Sequence, residues 1–270
     1  MPDVPSDQMI KKALSITGRF EDSDNPFGAV SGNFDGMGIS LGVLQWNIGS
    51  NSLQPLLRDT PEPTIKRLCP KCGADLLEAA KQPAAKGLDI VRAWQPGGIL
   101  PPAYKKELRA LAESNDFVEQ QIRAANEVAG RANRKCVEWC GVWKIDPDIH
   151  AFCWFFDVYT QNGGVSSLTA MQVKEFQKKS SNLDMVIQWL QSRAKTESGY
   201  RDANRNAGIW SPKAMPMNVT LLFAASYLRS QLSRVQWRVD AMNRKGTLAI
   251  GHGWVHGTEW TIDFNAPPPD

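Results

Sequence analysis

No run of apolar residues in this chain is long enough to cross a membrane, because a spanning helix needs about 18 or more in succession. Charge of one sign is also scarce. Lys and Arg number 31 against 28 Asp and Glu, which leaves a formal net charge of +3. That mild excess falls short of the basic stripe carried by nucleic-acid-binding proteins, so no nucleic-acid partner is expected. It does suit a weakly anionic polymer. Histidine is rare: His150, His252 and His256 match no metal-binding spacing. No Gly-rich loop ending in Gly-Lys-Ser or Gly-Lys-Thr is present to cradle a phosphate. Internal repeats and low-complexity tracts are missing too. With 42% hydrophobic and 22% charged residues, the chain can bury a real core and is not expected to be disordered. The opening residues, MPDVPSDQM, lack a positive stretch followed by an apolar run, so no secretory leader is expected there.

What the sequence has in quantity is tryptophan and, over one stretch, glycine. Ten Trp are present; such residues stack on sugar rings when exposed and fill cores when buried. Ser6 is placed to cap a helix in which Met9, Ile10, Ala13, Leu14, Thr17 and Phe20 recur at helical spacing. From 22 to 51 the pattern changes to short apolar runs between turn residues such as Ser31-Gly32-Asn33 and Asp35-Gly36, which predicts a small β-hairpin or three-stranded sheet. Helices resume after Ser52. Pro101-Pro102 opens one that runs to about Ser114, and a long amphipathic one follows from Asp116 to Arg134. The apolar stretch Pro147 to Gln161 reads as a buried central helix. Further helices are expected over Ser167–Ser180, Leu183–Lys195 and Asn218–Asn243, with a polar loop over Ser198–Met217 and a short hairpin near the C-terminus.

The chemistry concentrates at the end of the first helix and in the Gly-rich stretch. Glu21 follows an apolar helix at its C-terminal end, where the helix dipole and desolvation both raise a carboxyl pKa. A general acid that must hold its proton near neutrality needs that environment. Asp35 lies in a Gly-flanked turn, where a carboxylate stays solvated and ionised. Two carboxylates in contrasting environments are what glycoside hydrolysis requires. Taken singly, an Asp-Gly turn and a Glu after a helix are ordinary features; their combination is what points to chemistry.

A helix ending in Glu, a Gly-rich hairpin and then Gly-x-x-Gln resembles the lysozyme superfamily. Within it, Phe34-Asp35-Gly36-Met37-Gly38-Ile39-Ser40-Leu41-Gly42 resembles the bacterial chitosanase signature Gly-Asp-Gly-Arg-Gly-Tyr-Thr-x-Gly. The resemblance implies a mainly α (α+β), two-lobed lysozyme-like fold, with a Gly-rich β-hairpin lobe over about 22–51 and a Cys-containing helical insertion over about 60–145. It implies one catalytic domain spanning 1–270. It also implies Glu21 as catalytic acid, Asp35 as base, and Ser40 in the place of the Thr that holds the attacking water. Met37 and Ile39 depart from the motif's Arg and Tyr, and the interval from Glu21 to Asp35 is shorter than the family's. Gln45-Trp46-Asn47 looks more like the Gln-containing strand of cell-wall lysozymes and transglycosylases. Gln45, Trp46 and Asn47 are therefore expected on a cleft-facing strand edge, and Asn162, Tyr200 and Asp202 are expected to contact substrate from the other lobe.

The implied substrate is a β-1,4-linked amino-sugar polymer, and the mildly basic balance favours peptidoglycan over chitosan. An inverting mechanism would hold the two carboxyl groups roughly 6.5–9.5 Å apart. A transglycosylase would instead use Glu21 alone, and a non-catalytic wall-binding module is the reading from another class. Without a leader, such an enzyme is expected to be made in the cytoplasm and to reach the wall by a secretion machine or by phage lysis. A delivered toxin would have an immunity protein as partner.

Five cysteines complete the inventory. Cys69 and Cys72 stand in Cys-Pro-Lys-Cys-Gly, Cys136 and Cys140 are four apart on a helix, and Cys153 lies in the apolar stretch. The two pairs have the makings of a structural four-thiolate zinc site. Disulfides are the alternative in an oxidising compartment, and unpaired core thiols are the third. No catalytic cofactor is expected.

Overall fold

A computed structural model describes residues 5–20 and 26–267 of the chain. It is mainly α-helical, with thirteen α-helices and two small antiparallel sheets among the described residues. The chain divides into two compact units, one of residues 14–127 and the other of residues 1–13 with 128–270. Helix α1 (Asp7–Arg19) begins where the sequence predicts, with Ser6 Oγ accepting a hydrogen bond from Met9 N at 3.3 Å. Its residues Ile10, Ala13, Leu14 and Ile16 are buried.

The 14–127 unit starts with a three-stranded sheet of very short strands: β1 (Val30–Ser31), β2 (Ser40–Leu41) and β3 (Trp46–Asn47), in that spatial order. Val30 pairs with Leu41, and Leu41 in turn with Trp46. Helices α2 (Leu53–Asp59), α3 (Glu62–Leu68), α4 (Gly73–Lys81), α5 (Ala84–Ala93) and α6 (Pro102–Ala112) follow. Pro61, Pro83 and Pro101 stand immediately before three of them, where a fixed φ and a missing N–H cost nothing. Ile39, Leu41, Val43 and Ile48 from the sheet region are buried, as are Leu57, Ile65, Leu76, Leu108 and Phe117 from the helices. Gln121, on helix α7 (Asn115–Trp143), is buried among them. Its Oε1 accepts from Val43 N at 2.9 Å and its Nε2 donates to Ala112 O at 2.8 Å. Those bonds satisfy backbone groups that would otherwise be costly to bury.

The second unit is built around α8 (Ile149–Asn162), whose residues Phe152, Trp154, Phe155, Phe156 and Val158 are buried. Asp148 caps it by accepting from Ala151 N at 2.7 Å, and Gly163 ends it at φ 65°. Trp139 stacks edge-on against both Trp143 and Phe155, at 5.4 and 5.3 Å between ring centroids. Around this core lie α9 (Ala170–Lys178), α10 (Ser180–Gln191), α11 (Tyr200–Ile209), α12 (Met217–Gln231) and α13 (Arg238–Ile250). The chain then forms the hairpin β4 (His252–Val255) and β5 (Thr258–Thr261). His256 and Gly257 turn it with positive φ at both positions, the backbone that a two-residue hairpin loop favours.

Two expectations need correction here. The polar stretch 198–217 is not a loop throughout, because α11 occupies its centre. Asn206 draws that helix inward: its amide donates to Trp254 O at 3.0 Å and to Asn243 Oδ1 at 3.1 Å, and accepts from Trp254 N. The single helix expected over 218–243 is two helices, broken at 232–237. Ser230 Oγ bonds back to Tyr227 O at 2.7 Å just before the break, the local competition by which serine weakens a helix.

Candidate active site

The Gly-rich hairpin places Asp35 at an exposed tip. Asp35 Oδ1 accepts from Met37 N at 3.0 Å, and Asn33 Oδ1 accepts from Gly38 N at 2.8 Å, so two short polar side chains build the turn. Gly36 and Gly38 have φ of 83° and 86°, a region that side chains other than glycine's rarely tolerate. Gly38 is also crowded: a Cβ there would lie 2.7 Å from Val91 Cγ2. Gln95, buried, holds the turn from α5's side of the unit; its Oε1 accepts from Asn33 N at 2.9 Å and its Nε2 donates to Gly38 O at 3.1 Å. Sequence reasoning missed Gln95, which lies 57 residues beyond the glycine it binds. Ser40, 5% exposed, sits on β2 between Ser31 and Asn47 of the flanking strands. Gly38-Ile39-Ser40-Leu41-Gly42 also spells the Gly-x-Ser-x-Gly of a nucleophile elbow. An elbow serine stands on a strand-to-helix turn, whereas Ser40 is paired on both sides within the sheet, so that chemistry is not available to it. Glu21 lies outside the described residues.

The strand edge carries less of a binding surface than its sequence suggests. Gln45 accepts from Ser31 Oγ at 2.8 Å and donates to Gly42 O at 3.0 Å, so its amide is spent inside the hairpin. Trp46, expected to face a cleft, is 8% exposed and packs beneath Gly42. There the indole fills the small sheet's core. Asn47 accepts from Ser50 N at 2.8 Å and is half-buried. In the other unit, Tyr200 opens α11, half-buried, with its hydroxyl accepting from Arg201 Nε. Asp202 is buried and accepts from Gly257 N at 2.8 Å, pinning the turn of the β4–β5 hairpin.

Asn162 does line a cavity. It belongs to a pocket of about 530 Å³ in the second unit, walled by α8, α12, α13 and the β4–β5 turn. Four cations, Arg229, Arg234, Arg244 and Lys245, line this pocket against one acid, Asp240. Trp237, 54% exposed, stands at its wall, and His256 contributes from the hairpin. Behind the wall Asp157 is fully buried on α8. Its Oδ1 accepts from Arg244 Nε and Nη2 at 3.0 and 2.7 Å, and its Oδ2 from Lys245 Nζ at 2.6 Å. Burial pushes the Asp157 carboxyl up, but Arg244 and Lys245 outweigh it and hold the group below the usual range. Burial pushes Lys245 down to about 8; Asp157 nevertheless stays ionised, because two cations grip it from both oxygens. Arg229 donates to Gly164 O at 2.9 Å and Asn162 O at 3.1 Å, joining the pocket to the end of α8. Two buried atoms of the lining, Arg229 Nη1 and Asn162 Oδ1, have no hydrogen-bond partner. None of the four cations was singled out from sequence. The usable signal was Arg244-Lys245 in a helix that is otherwise buried through Val239, Met242 and Leu248, since adjacent buried charges require a buried counter-charge.

No family model matches the chain, and no curated protein does. Among solved structures, a chitosanase complex is similar at 14% identity with a TM-score of 0.45, covering 94% of this chain and 96% of that one.

The cysteines lie in both units. Cys69, Cys72 and Glu107 have ligand atoms within 4.8 Å of one another in the 14–127 unit, and Cys136 and Cys140 belong to the other unit. On the continuous helix α7 a spacing of four brings Cys136 and Cys140 to the same face. There the bond from Cys140, with burial, pushes the Cys136 thiol up, and Cys136 in turn lowers Cys140. Cys153 is buried on α8 and burial pushes its thiol up as well. A buried thiol with a raised pKa is a poor nucleophile, so Cys136 and Cys153 are core residues.

Proposed function

We propose that the chain is a glycoside hydrolase that cuts the β-1,4-linked glycan of bacterial peptidoglycan. In this reading Glu21 protonates the glycosidic oxygen, and Asp35 activates a water that Ser40 helps to orient. The observation that carries it is the Asp35 tip: an exposed carboxylate, fixed by its own turn and followed in the chain by a buried serine on the next strand. We infer peptidoglycan rather than chitosan from the pocket of the second unit, taken by itself as a surface that can bind glycan. Chitosan carries ammonium groups, and Arg229, Arg234, Arg244 and Lys245 keep a positive excess over Asp157 and Asp240 that repels them. Peptidoglycan carries carboxylates on its lactyl and peptide groups, which Arg234 and its neighbours would attract. Trp237 adds an exposed ring against which a sugar face can stack. Among the described residues, no helix is long and apolar enough to cross a membrane. We further propose that the protein reaches the wall by a secretion machine or by lysis, and that an immunity protein is its partner where it is delivered as a toxin.

Digestion of purified peptidoglycan by the protein and by Glu21→Gln, followed by mass spectrometry of the fragments, tests the reading. Reducing-end muramic acid products that fall by about 10²–10⁴-fold in the variant are expected. Anhydro-muramic products would remove Asp35 as base. Release of sugar from chitosan alone would transfer the activity to that polymer, and binding without release from either would leave a wall-binding module.

A further inference from the structure

The CxxC segment is the strongest cluster of ligating groups outside the hairpin and the cationic pocket. Cys69 ends α3 and Cys72 precedes α4, both buried, and Glu107 reaches them from α6. The Cys72 thiol donates to Glu107 Oε2 at 3.4 Å, and the Cys69 thiol lies 3.5 Å from Glu107 O. Backbone N–H groups of Lys71 and Cys72 donate to the same Oε2 at 3.0 and 3.3 Å. The carboxylate is therefore locked in orientation while its Oε1 makes none of these bonds. Gly73 lets the turn close this tightly, because a Cβ there would lie 3.1 Å from Ile65 O and 3.3 Å from Cys69 Cβ.

A carboxylate that only capped the turn would need neither sulfur beside it. Here two thiols and a carboxylate converge from three helices, and among the described residues Glu107 forms no ion pair with Lys, Arg or His. Three groups that become anionic on deprotonation and share no protein cation make a cation site. The soft thiolates select zinc among common divalent ions, and the hard cations calcium and magnesium are excluded by the donor set.

We propose that Cys69 Sγ, Cys72 Sγ and the Glu107 carboxylate bind one Zn²⁺, with a fourth position left to water or an outside ligand. The ion would tie α3, α4 and α6 together within the 14–127 unit. On binding, the two thiols lose their protons to solvent and no electron is transferred. The proposal is independent of the glycosidase reading.

The test uses the full chain purified under reducing conditions without chelator. Elemental analysis should find one zinc per chain. Replacement by Co²⁺ should give the thiolate-to-cobalt charge-transfer absorption, and chelation should lower Tm. Cys69→Ser should abolish the metal, Glu107→Gln should weaken it by about tenfold or more, and Cys136→Ser should leave it at one equivalent. Should Cys69→Ser fail to fold, the cobalt spectrum of the unaltered chain and the Glu107→Gln titration decide. Zinc-free folded protein, a Cys69–Cys72 disulfide that excludes the ion, loss of zinc in Cys136→Ser, or undiminished affinity in Glu107→Gln would each overturn the site.

Discussion

The two units fix their polar groups by opposite means. In the 14–127 unit the Asp35 turn is held by hydrogen bonds to its backbone groups, from Asn33, Gln95, Arg92 and Asp35 itself, around glycines at positive φ. In the other unit the pocket wall is held by charge, with Arg244 and Lys245 clamped on buried Asp157. A site built on backbone hydrogen bonds around glycines is sensitive to added atoms. A charge-built one tolerates changes of shape but not the removal of a partner.

The sharpest way to break this contrast is Asp157→Asn. It leaves two buried cations without a counter-charge, and removing one partner of a buried pair costs about 3–5 kcal/mol. Urea unfolding should show the unfolding free energy falling by that amount, with a lower midpoint, and an unchanged midpoint would mean that solvent reaches the pair. The same residue sets a pH signature. Its carboxyl is held below its ordinary value of 3.8 in the folded chain, so its contribution is fully present above that pH. It is lost as pH falls from 3.8 through the lower folded value. Acid titration of stability should therefore be steeper below about pH 4 in the unaltered protein than in Asp157→Asn.

The hairpin answers with a pair of glycines that share a backbone conformation and differ in their surroundings. Gly36, at φ 83°, has nothing within 4 Å of an added Cβ; Gly38, at φ 86°, would place one 2.7 Å from Val91 and 2.9 Å from Leu88. Both Gly→Ala changes incur the left-handed strain of about 1–2 kcal/mol. Gly38→Ala adds overpacking of about 1–3 kcal/mol. Thermal denaturation should rank Gly38→Ala below Gly36→Ala, and equal values would show that the side chains of α5 yield freely.

The same contrast explains what was legible in the sequence. Ser6, the apolar run of α8 and the Asp35-Gly36 turn act locally, so helix α1, the central helix and the hairpin could be read from spacing alone. The partners of buried polar groups are chosen by tertiary packing and leave no local pattern. Glu107 stands 35 residues from the Cys72 it meets, and Asp157 stands 87 from Arg244. The burial of Trp46 was illegible for a related reason, since alternation along a two-residue strand cannot say which face is covered. Helix α11 was hidden because its Asn and Gly residues are weak helix formers, and the contacts of Asn206 that pay for it come from the C-terminal hairpin.

The smallest effect belongs to the rim of the pocket, where the charge-built region meets solvent. Arg234 is exposed, unlike Arg244, and stands beside Trp237. An exposed charge contributes about 0.2–1 kcal/mol to an ionic contact, which corresponds to a severalfold change in affinity at most. Binding of soluble muropeptides to Arg234→Ala should weaken by about that factor at low salt. The difference should fade as ionic strength rises and the Debye length shrinks to roughly 3 Å at 1 M. Trp237→Ala should weaken the same binding without that salt dependence, since stacking on a sugar face is not screened. If both variants respond to salt alike, the pocket acts through its overall field; if only Arg234→Ala does, the rim holds a carboxylate at one place.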